Sequence, residues 1–437
     1  MTTSIDTDTR AAVFGYGVEG RSVFAWLRRL GCRQMRVISS TRPEDLDGKT
    51  GWVVETDLDA ALSGVDLLIK SPGIRPSHPL LAAAIAAGVP TTSATVLFVE
   101  RAREAGLALI GVTGSKGKST TATLIEKTLE AASIPTVLVG NIGRPALDVV
   151  EDVVSNRPVI VFEMSSYQTH DLTVGPSVAV ITRLFPEHLD WHEGVEPYYL
   201  SKLRIAATQR AGDVTIWNGS DPEIARRVPL GPARHVAYGL DPARFSEAGM
   251  KLRGPHNRLN ADAALHAAEI FGALPRHLET VLASFSGLPH RLEDLGVHGG
   301  IRWINDSIAT APEAAVAALD AFGGEVATYL GGGTDRGFDF TPLARELASR
   351  ALPNVILLPP GGPSILAALA AVDPQAASRA HVVAHLAEAV ALAARLTPQG
   401  ATVLFSPASP SYGLYKNFEE RGNSFRGLVQ ALDRQSS

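Results

Sequence analysis

With one cysteine in 437 residues, Cys32, the chain cannot form an internal disulfide, so its stability must come from packing and a reducing compartment is the expected setting. No apolar run reaches the roughly 20 residues that span a bilayer. The opening MTTSIDTDTR is polar and acidic where a signal peptide would be basic and then apolar, so the cytoplasm is the predicted location. Neither sign of charge dominates: 40 Lys and Arg against 45 Asp and Glu leave a net −5, with no footprint for nucleic acid or a membrane surface. Any phosphate has to be gripped locally. Low-complexity tracts and short repeats are also missing. What remains, 45% hydrophobic and 19% charged residues, is the composition of a globular protein long enough for several cores.

The apolar runs repeat a βαβ order. Ala11–Phe14, Met35–Ile38 and Leu67–Ile69 read as strands, alternating with helical patterns at Ser22–Leu30 and Pro79–Ala87. A second series opens with Leu107–Val112 and a helix from about Ser119 to Ala132. It continues through Val137–Val139, Val159–Phe162 and Val178–Ile181 to a helix near Leu259–Phe271. A third runs through Ile301–Ile304, Val326–Leu330, Val355–Leu358, His381–Val383 and Thr402–Phe405. Strands separated by helices favour parallel sheets. The predicted fold is therefore α/β in three successive domains: a Rossmann-like domain over 1–104, a P-loop ATPase-like domain over 105–290 and a second Rossmann-like domain over 291–437.

Between a predicted strand and a predicted helix lies Gly111-Val112-Thr113-Gly114-Ser115-Lys116-Gly117-Lys118-Ser119-Thr120. Glycines let backbone N–H groups turn toward phosphate oxygens, the helix N-terminus adds its dipole, Lys118 supplies charge and the Ser119 hydroxyl can hold Mg²⁺. An ATP site follows. The loop is a variant, since Val112 stands where the common pattern has its first glycine. Glu163 ends an apolar strand, where an acid can hold Mg²⁺ against the phosphates. Gly15-Tyr16-Gly17-Val18-Glu19-Gly20 after the first strand resembles a dinucleotide loop, but the second strand ends Ser39-Ser40-Thr41-Arg42, without the acid that binds an NAD ribose. Arg42 leaves NADP formally open.

Thr113-Gly114-Ser115-Lys116-Gly117-Lys118-Ser119-Thr120 resembles the ATP loop of the Mur ligases and their folylpolyglutamate synthetase relatives. Glu163-Met164-Ser165-Ser166-Tyr167-Gln168, Glu187-His188-Leu189-Asp190 and Tyr198-Tyr199-Leu200-Ser201-Lys202 are similar to further segments of the glutamate-adding branch. The resemblance implies a three-domain ligase that uses ATP and two Mg²⁺ ions to join glutamate to UDP-N-acetylmuramoyl-L-alanine through an acyl phosphate, acting as a monomer. It assigns Mg²⁺ to Ser119, Glu163, His188 and Lys202, the lysine carrying a CO₂-derived carbamate that turns a cation into an oxygen ligand. In isolation Lys202 reads as a solvated helix charge and His188 as a polar loop residue.

The same resemblance puts the nucleotide against residues 114–120 together with Asn257, Asn260, Arg291 and Asp306, sandwiched between the middle and last domains. The UDP substrate goes to Gly15, Tyr16, Gly17, Val18, Ser40, Thr41, Arg42, Ser71, Pro72, Gly73, Asn141 and His188. Glutamate goes to Thr310, Arg336, Ser411, Tyr412 and Phe418; Arg336 can fork onto a carboxylate. Ile308 stands where D-glutamate ligases usually carry a lysine, and Tyr412, Gly413 and Tyr415 depart from the usual pocket. Both point toward the branch that adds L-glutamate and leaves inversion to a separate epimerase; the D-glutamate ligase stays the alternative. A folylpolyglutamate synthetase has no place for the N-terminal domain, a dehydrogenase does not need the second phosphate loop, and a non-catalytic regulator does not need Lys118, Glu163, His188 and Lys202 together.

Overall fold

The computed structural model describes residues 5–48, 50–228, 231–241, 243–252, 255–350 and 352–435. Part of the polar N-terminal stretch, residues 1–4, lies outside the described residues, as does Gly254 ahead of the helix Pro255–Glu269. The chain forms two compact units, residues 1–284 and 285–437.

The first unit holds two sheets. One contains β1 (Arg10–Phe14), β2 (Gln34–Ser39), β3 (Gly51–Val54), β4 (Leu67–Lys70) and β5 (Thr91–Ser93), all parallel, in the order β3-β2-β1-β4-β5. The other contains β6 (Leu109–Thr113), β7 (Thr136–Gly140), β8 (Val159–Glu163), β9 (Val178–Ile181), β10 (Val214–Asn218) and β11 (Arg234–Tyr238), in the order β11-β10-β9-β6-β8-β7, again parallel. One continuous buried cluster links them: Val13, Phe24 and Trp26 from the first layer reach Phe98, Phe162 and Tyr198. Phe98 meets Phe162 edge to face at 5.5 Å, and full burial of each such ring contributes roughly 1.5–3 kcal/mol.

The second unit has one sheet, ordered β12-β13-β17-β14-β15-β16, from β12 (Glu293–His298), β13 (Ile301–Asn305), β14 (Val326–Gly332), β15 (Asn354–Leu358), β16 (Ala380–Val382) and β17 (Thr402–Phe405). All its pairs are parallel except β12, which forms an antiparallel hairpin with β13.

In each sheet the sequence order of neighbouring strands is broken at one interior strand. β1 lies between β2 and β4, β6 between β8 and β9, and β17 between β13 and β14. Crossover helices leave opposite faces at such a point and open a crevice beyond the strand ends. Residues 15–18 follow β1, residues 114–120 follow β6, and Ser411, Tyr412 and Phe418 follow β17.

Candidate functional site

Beyond β6 the chain turns through Gly114 (φ 146°) and Gly117 (φ 94°) into the helix Lys118–Ala131. Both conformations suit glycine, and a Cβ at either would collide, with the Thr182 hydroxyl or the Asn260 side chain. Lys118 folds back over the loop, donating from Nζ to the carbonyls of Gly114 (2.9 Å) and Ser115 (3.0 Å). Ser115 is buried and bonds Phe185 O and Tyr198 Oη, both at 2.8 Å. Lys116 is exposed and pairs with Glu187 at 2.9 Å, while Thr120 is buried in the first helical turn. Asn260 accepts from Thr121 and donates to Asn257 Oδ1 at 3.1 Å, which brings the helix Pro255–Glu269 to the loop.

Register explains the neighbour: Val112 on β6 pairs with Glu163, the last residue of β8. The Glu163 carboxylate is fully buried. Its Oε1 accepts from the Ser119 hydroxyl at 3.1 Å and the Asn141 amide at 3.4 Å, but Oε2 has no hydrogen-bond partner. An orphaned buried carboxylate oxygen is costly in an apolar interior, and beside a hydroxyl and a phosphate loop it suits a divalent cation. Among the described residues no three His, Cys, Asp or Glu side chains form a ready-made metal cluster. A cation here would therefore draw its remaining ligands from phosphate, water or a modified side chain.

Lys202, on the helix Val195–Ala207, is only 1% exposed. Its Nζ donates to Gly114 O at 2.7 Å and lies 4.9 Å from the Tyr198 ring. Burial, and then the nearby Lys118 cation, hold its pKa well below the ordinary lysine range. Both disfavour the charged form of this amine at the phosphate loop. His188 is exposed at the head of a short helix, with backbone φ 55° and its ring 5.1 Å from that of Tyr167.

Within the first sheet, Gly15 (φ 86°) turns the chain from β1 into the helix Val18–Arg29, and its carbonyl accepts from the Ser71 hydroxyl at 2.9 Å. Tyr16 is half-buried under Arg21, Gly17 and Val18 are exposed, and Ser40, Thr41 and Arg42 are exposed beyond β2. Pro72 is half-buried, and Gly73 O accepts from the Trp191 indole at 3.0 Å. Gly73 also lines a cavity of about 350 Å³ with Glu55, Arg75, Ser77 and His78. No motif marks these four polar residues: Glu55 follows β3, and Arg75, Ser77 and His78 follow the Ser-Pro-Gly turn in no recognisable spacing.

Glu19 forms a seam between the two sheets of this unit. Gln168 Nε2 donates to its Oε1 at 2.7 Å, Oε2 has no partner, and burial raises its pKa to about 7. The unfolded chain would ionise this group near pH 4.5, so folding stability falls as pH rises from there and the penalty is complete above about 7. Glu19→Gln is therefore expected to raise the thermal midpoint by a few degrees at pH 8, corresponding to about 2 kcal/mol, and to leave it unchanged at pH 4. Melting curves at the two pH values check this; an equal shift at both would sink the assignment.

In the second unit, Asp306 follows β13 and is buried; its Oδ1 accepts from the Leu292 amide at 3.1 Å and its Oδ2 from the Ser406 hydroxyl at 2.8 Å. Arg291 and Thr310 are half-buried, and Ser411 is buried beyond β17. Tyr412 is exposed, with the exposed Arg336 guanidinium 5.5 Å from its ring. Phe418 opens the helix Phe418–Gln435, and its carbonyl accepts from Ser307 Oγ at 2.8 Å.

The Mur ligase middle domain family matches residues 112–261, and the Mur ligase glutamate ligase domain family matches residues 290–409. The chain is 38% identical to a UDP-N-acetylmuramoyl-L-alanine--L-glutamate ligase of Salinispora tropica, over 96% of this chain and 97% of that one. Proteins of the same name from a Micromonospora species (39% identical; 85% and 84% covered) and Xanthomonas axonopodis pv. citri (36%; 96% and 94%) are also similar. Among solved structures, UDP-N-acetylmuramate-alanine ligase MurC of Thermotoga maritima aligns over 97% of this chain and 99% of its own, with TM-score 0.57 and 17% identity. MurF of Acinetobacter baumannii aligns over 98% and 93%, with TM-score 0.56 and 18% identity. At those identities the structural likeness speaks for the fold alone.

Proposed function

This chain belongs to the Mur ligase family, and from that premise we propose that it is an ATP-dependent amide ligase adding L-glutamate to UDP-N-acetylmuramoyl-L-alanine in peptidoglycan precursor synthesis. The observation that carries the reading is the phosphate loop with Lys118 folded over it and the half-satisfied Glu163 beside Ser119. The names of the relatives and Ile308, in place of a lysine, support L-glutamate over D.

The alanyl carboxylate attacks the γ-phosphorus of ATP, ADP leaves, and an acyl phosphate forms. The glutamate amine then attacks the acyl carbon, phosphate departs, and the amide remains once the nitrogen has lost its proton, with His188 a candidate acceptor. Lys118 and the loop amides stabilise charge spreading over the transferred phosphoryl group. Mg²⁺, two ions in our reading, supplies further charge neutralisation when bound, and Ser119, Glu163, His188 and a carbamate on Lys202 are the residues suited to hold it. A lysine adds CO₂ through its unprotonated amine, the form that burial of Lys202 favours. Arg291, Asp306, Asn257 and Asn260 serve ATP in this scheme. The residues after β1, β2 and β4, with Asn141, serve the UDP substrate, and Thr310, Arg336, Ser411, Tyr412 and Phe418 serve glutamate.

We assign the reaction to the cytoplasm, with the enzyme acting as a monomer; no described helix is long and apolar enough to cross a membrane. An L-glutamyl product implies a later epimerase. Mass spectrometry of product formed from UDP-N-acetylmuramoyl-L-alanine, ATP and each glutamate enantiomer tests the proposal. Amide is expected with L-glutamate; preference for D would overturn the stereochemistry, and no amide with either would overturn the ligase.

A further inference from the structure

Arg421 has no role in the scheme above, yet it is the charged side chain around which the loops of the second unit are built. It lies in the first turns of the helix Phe418–Gln435 and is 2% exposed. Its Nε donates to Ser307 Oγ at 3.1 Å, Nη2 to Ser307 O at 2.8 Å and Nη1 to Ser409 O at 2.9 Å. One planar fork thus ties the loop after β13 to the loop after β17. Ser307 Oγ closes the arrangement by donating to Phe418 O. The loop after β14 covers the guanidinium, since a Cβ on Gly333 (φ 156°) would lie 2.9 Å from Nη1, and Thr334 N donates to Pro410 O at 2.8 Å.

Those three hydrogen bonds all end on uncharged oxygens. Compensation from a carboxylate comes from Asp306 without a hydrogen bond to it, since the Asp306 oxygens are engaged by Leu292 N and Ser406 Oγ. A buried cation without a contacting carboxylate is expensive to hold; a packing role alone would be filled at lower cost by an apolar side chain. Lysine could not reach Ser307 and Ser409 together, because it lacks the flat fork. The segments held by Arg421 carry Ser411, Phe418 and Thr310, while the contacts of Asp306 do not pass through it.

We propose that Arg421 is a positioning and specificity residue for the amino-acid acceptor: it fixes the Ser307 and Ser409 loops against the start of the last helix and supplies positive potential selecting a dicarboxylic amino acid. This rests on the ligase reading given above. The test is steady-state kinetics of full-length parent, Arg421→Gln and Arg421→Lys, with L-glutamate and L-glutamine as acceptors and melting curves for each protein. Arg421→Gln is expected to raise KM for L-glutamate about tenfold or more while kcat and the KM values for ATP and the UDP substrate change by less than about threefold. Its preference for glutamate over glutamine should shrink by a similar factor, and Arg421→Lys should fall between, keeping charge but losing one tether. Unchanged glutamate KM in a folded variant overturns the proposal, and so does a parallel loss in every parameter, which is the mark of a merely structural residue. If Arg421→Gln does not fold, the glutamate KM of Arg421→Lys decides on the same criterion. A parent enzyme that fails to use glutamate would instead overturn the ligase reading.

Discussion

Lys118→Ala is expected to lower the rate of amide formation by about a thousandfold while leaving the protein folded. The side chain is half-buried over its own loop, bonded to the carbonyls of Gly114 and Ser115, and is not among the core residues. Truncation removes a cation from the place where the transferred phosphoryl group would carry its charge, and losing one such preorganised donor costs about 10²–10³ in rate. Lys118 also crowds Lys202 electrostatically, so its loss should perturb a second member of the site and push the effect to the upper end. Glu163→Gln is the companion variant: nearly the same shape, with the anion removed. Phosphate release assayed with ATP, the UDP substrate and L-glutamate, alongside circular dichroism, is the measurement. Parental rates in folded Lys118→Ala protein would remove ATP-driven acyl activation from the account and favour a non-catalytic nucleotide-binding protein.

The parts of this molecule that could be read from sequence are those set by local pattern. The glycine-rich loop between an apolar strand and a helix is one: positive φ at Gly114 and Gly117 is a local backbone requirement written as glycine. Glu163 is another, because its strand is a run of buried residues ending in an acid. The helix after β1 begins at Val18, four residues before the apolar pattern suggests, since its opening turn is Gly-flanked and faces Gln168 through Glu19. The strand β12 was not read from Glu-Asp-Leu-Gly-Val-His, which is largely half-exposed and defined by its hairpin partner β13. The short strands β3 and β5, and the strands β10 and β11, have no counterpart in the sequence pattern either. For β11 the reason is similar, since it is an edge strand with little buried surface. Tertiary environment was least legible of all. Arg421 and Lys202 look in sequence like ordinary helix charges, and their burial depends in part on the Ser307 and Gly114 loops, which lie 114 and 88 residues away.

Lys202→Met offers the sharpest separation of stability from function in this chain. Lys202 is 1% exposed and its Nζ is met by the Gly114 carbonyl and the Tyr198 ring, while burial and the Lys118 cation disfavour a charge there. Exchange of such a group for an apolar side chain of similar length is often neutral or stabilising by about 1–4 kcal/mol, and a residue retained at that cost fits a functional site. The variant is therefore expected to melt several degrees above the parent in the absence of substrates, with ligation reduced by about a hundredfold or more, since a thioether can neither accept CO₂ nor offer oxygen to a cation. Carbon-13 NMR of parent protein in labelled bicarbonate should show a carbamate resonance that Lys202→Met lacks. A variant that melts well below the parent would show the Lys202 amine to be a structural tie to Gly114. One that ligates at the parental rate would remove Lys202 from the reaction altogether.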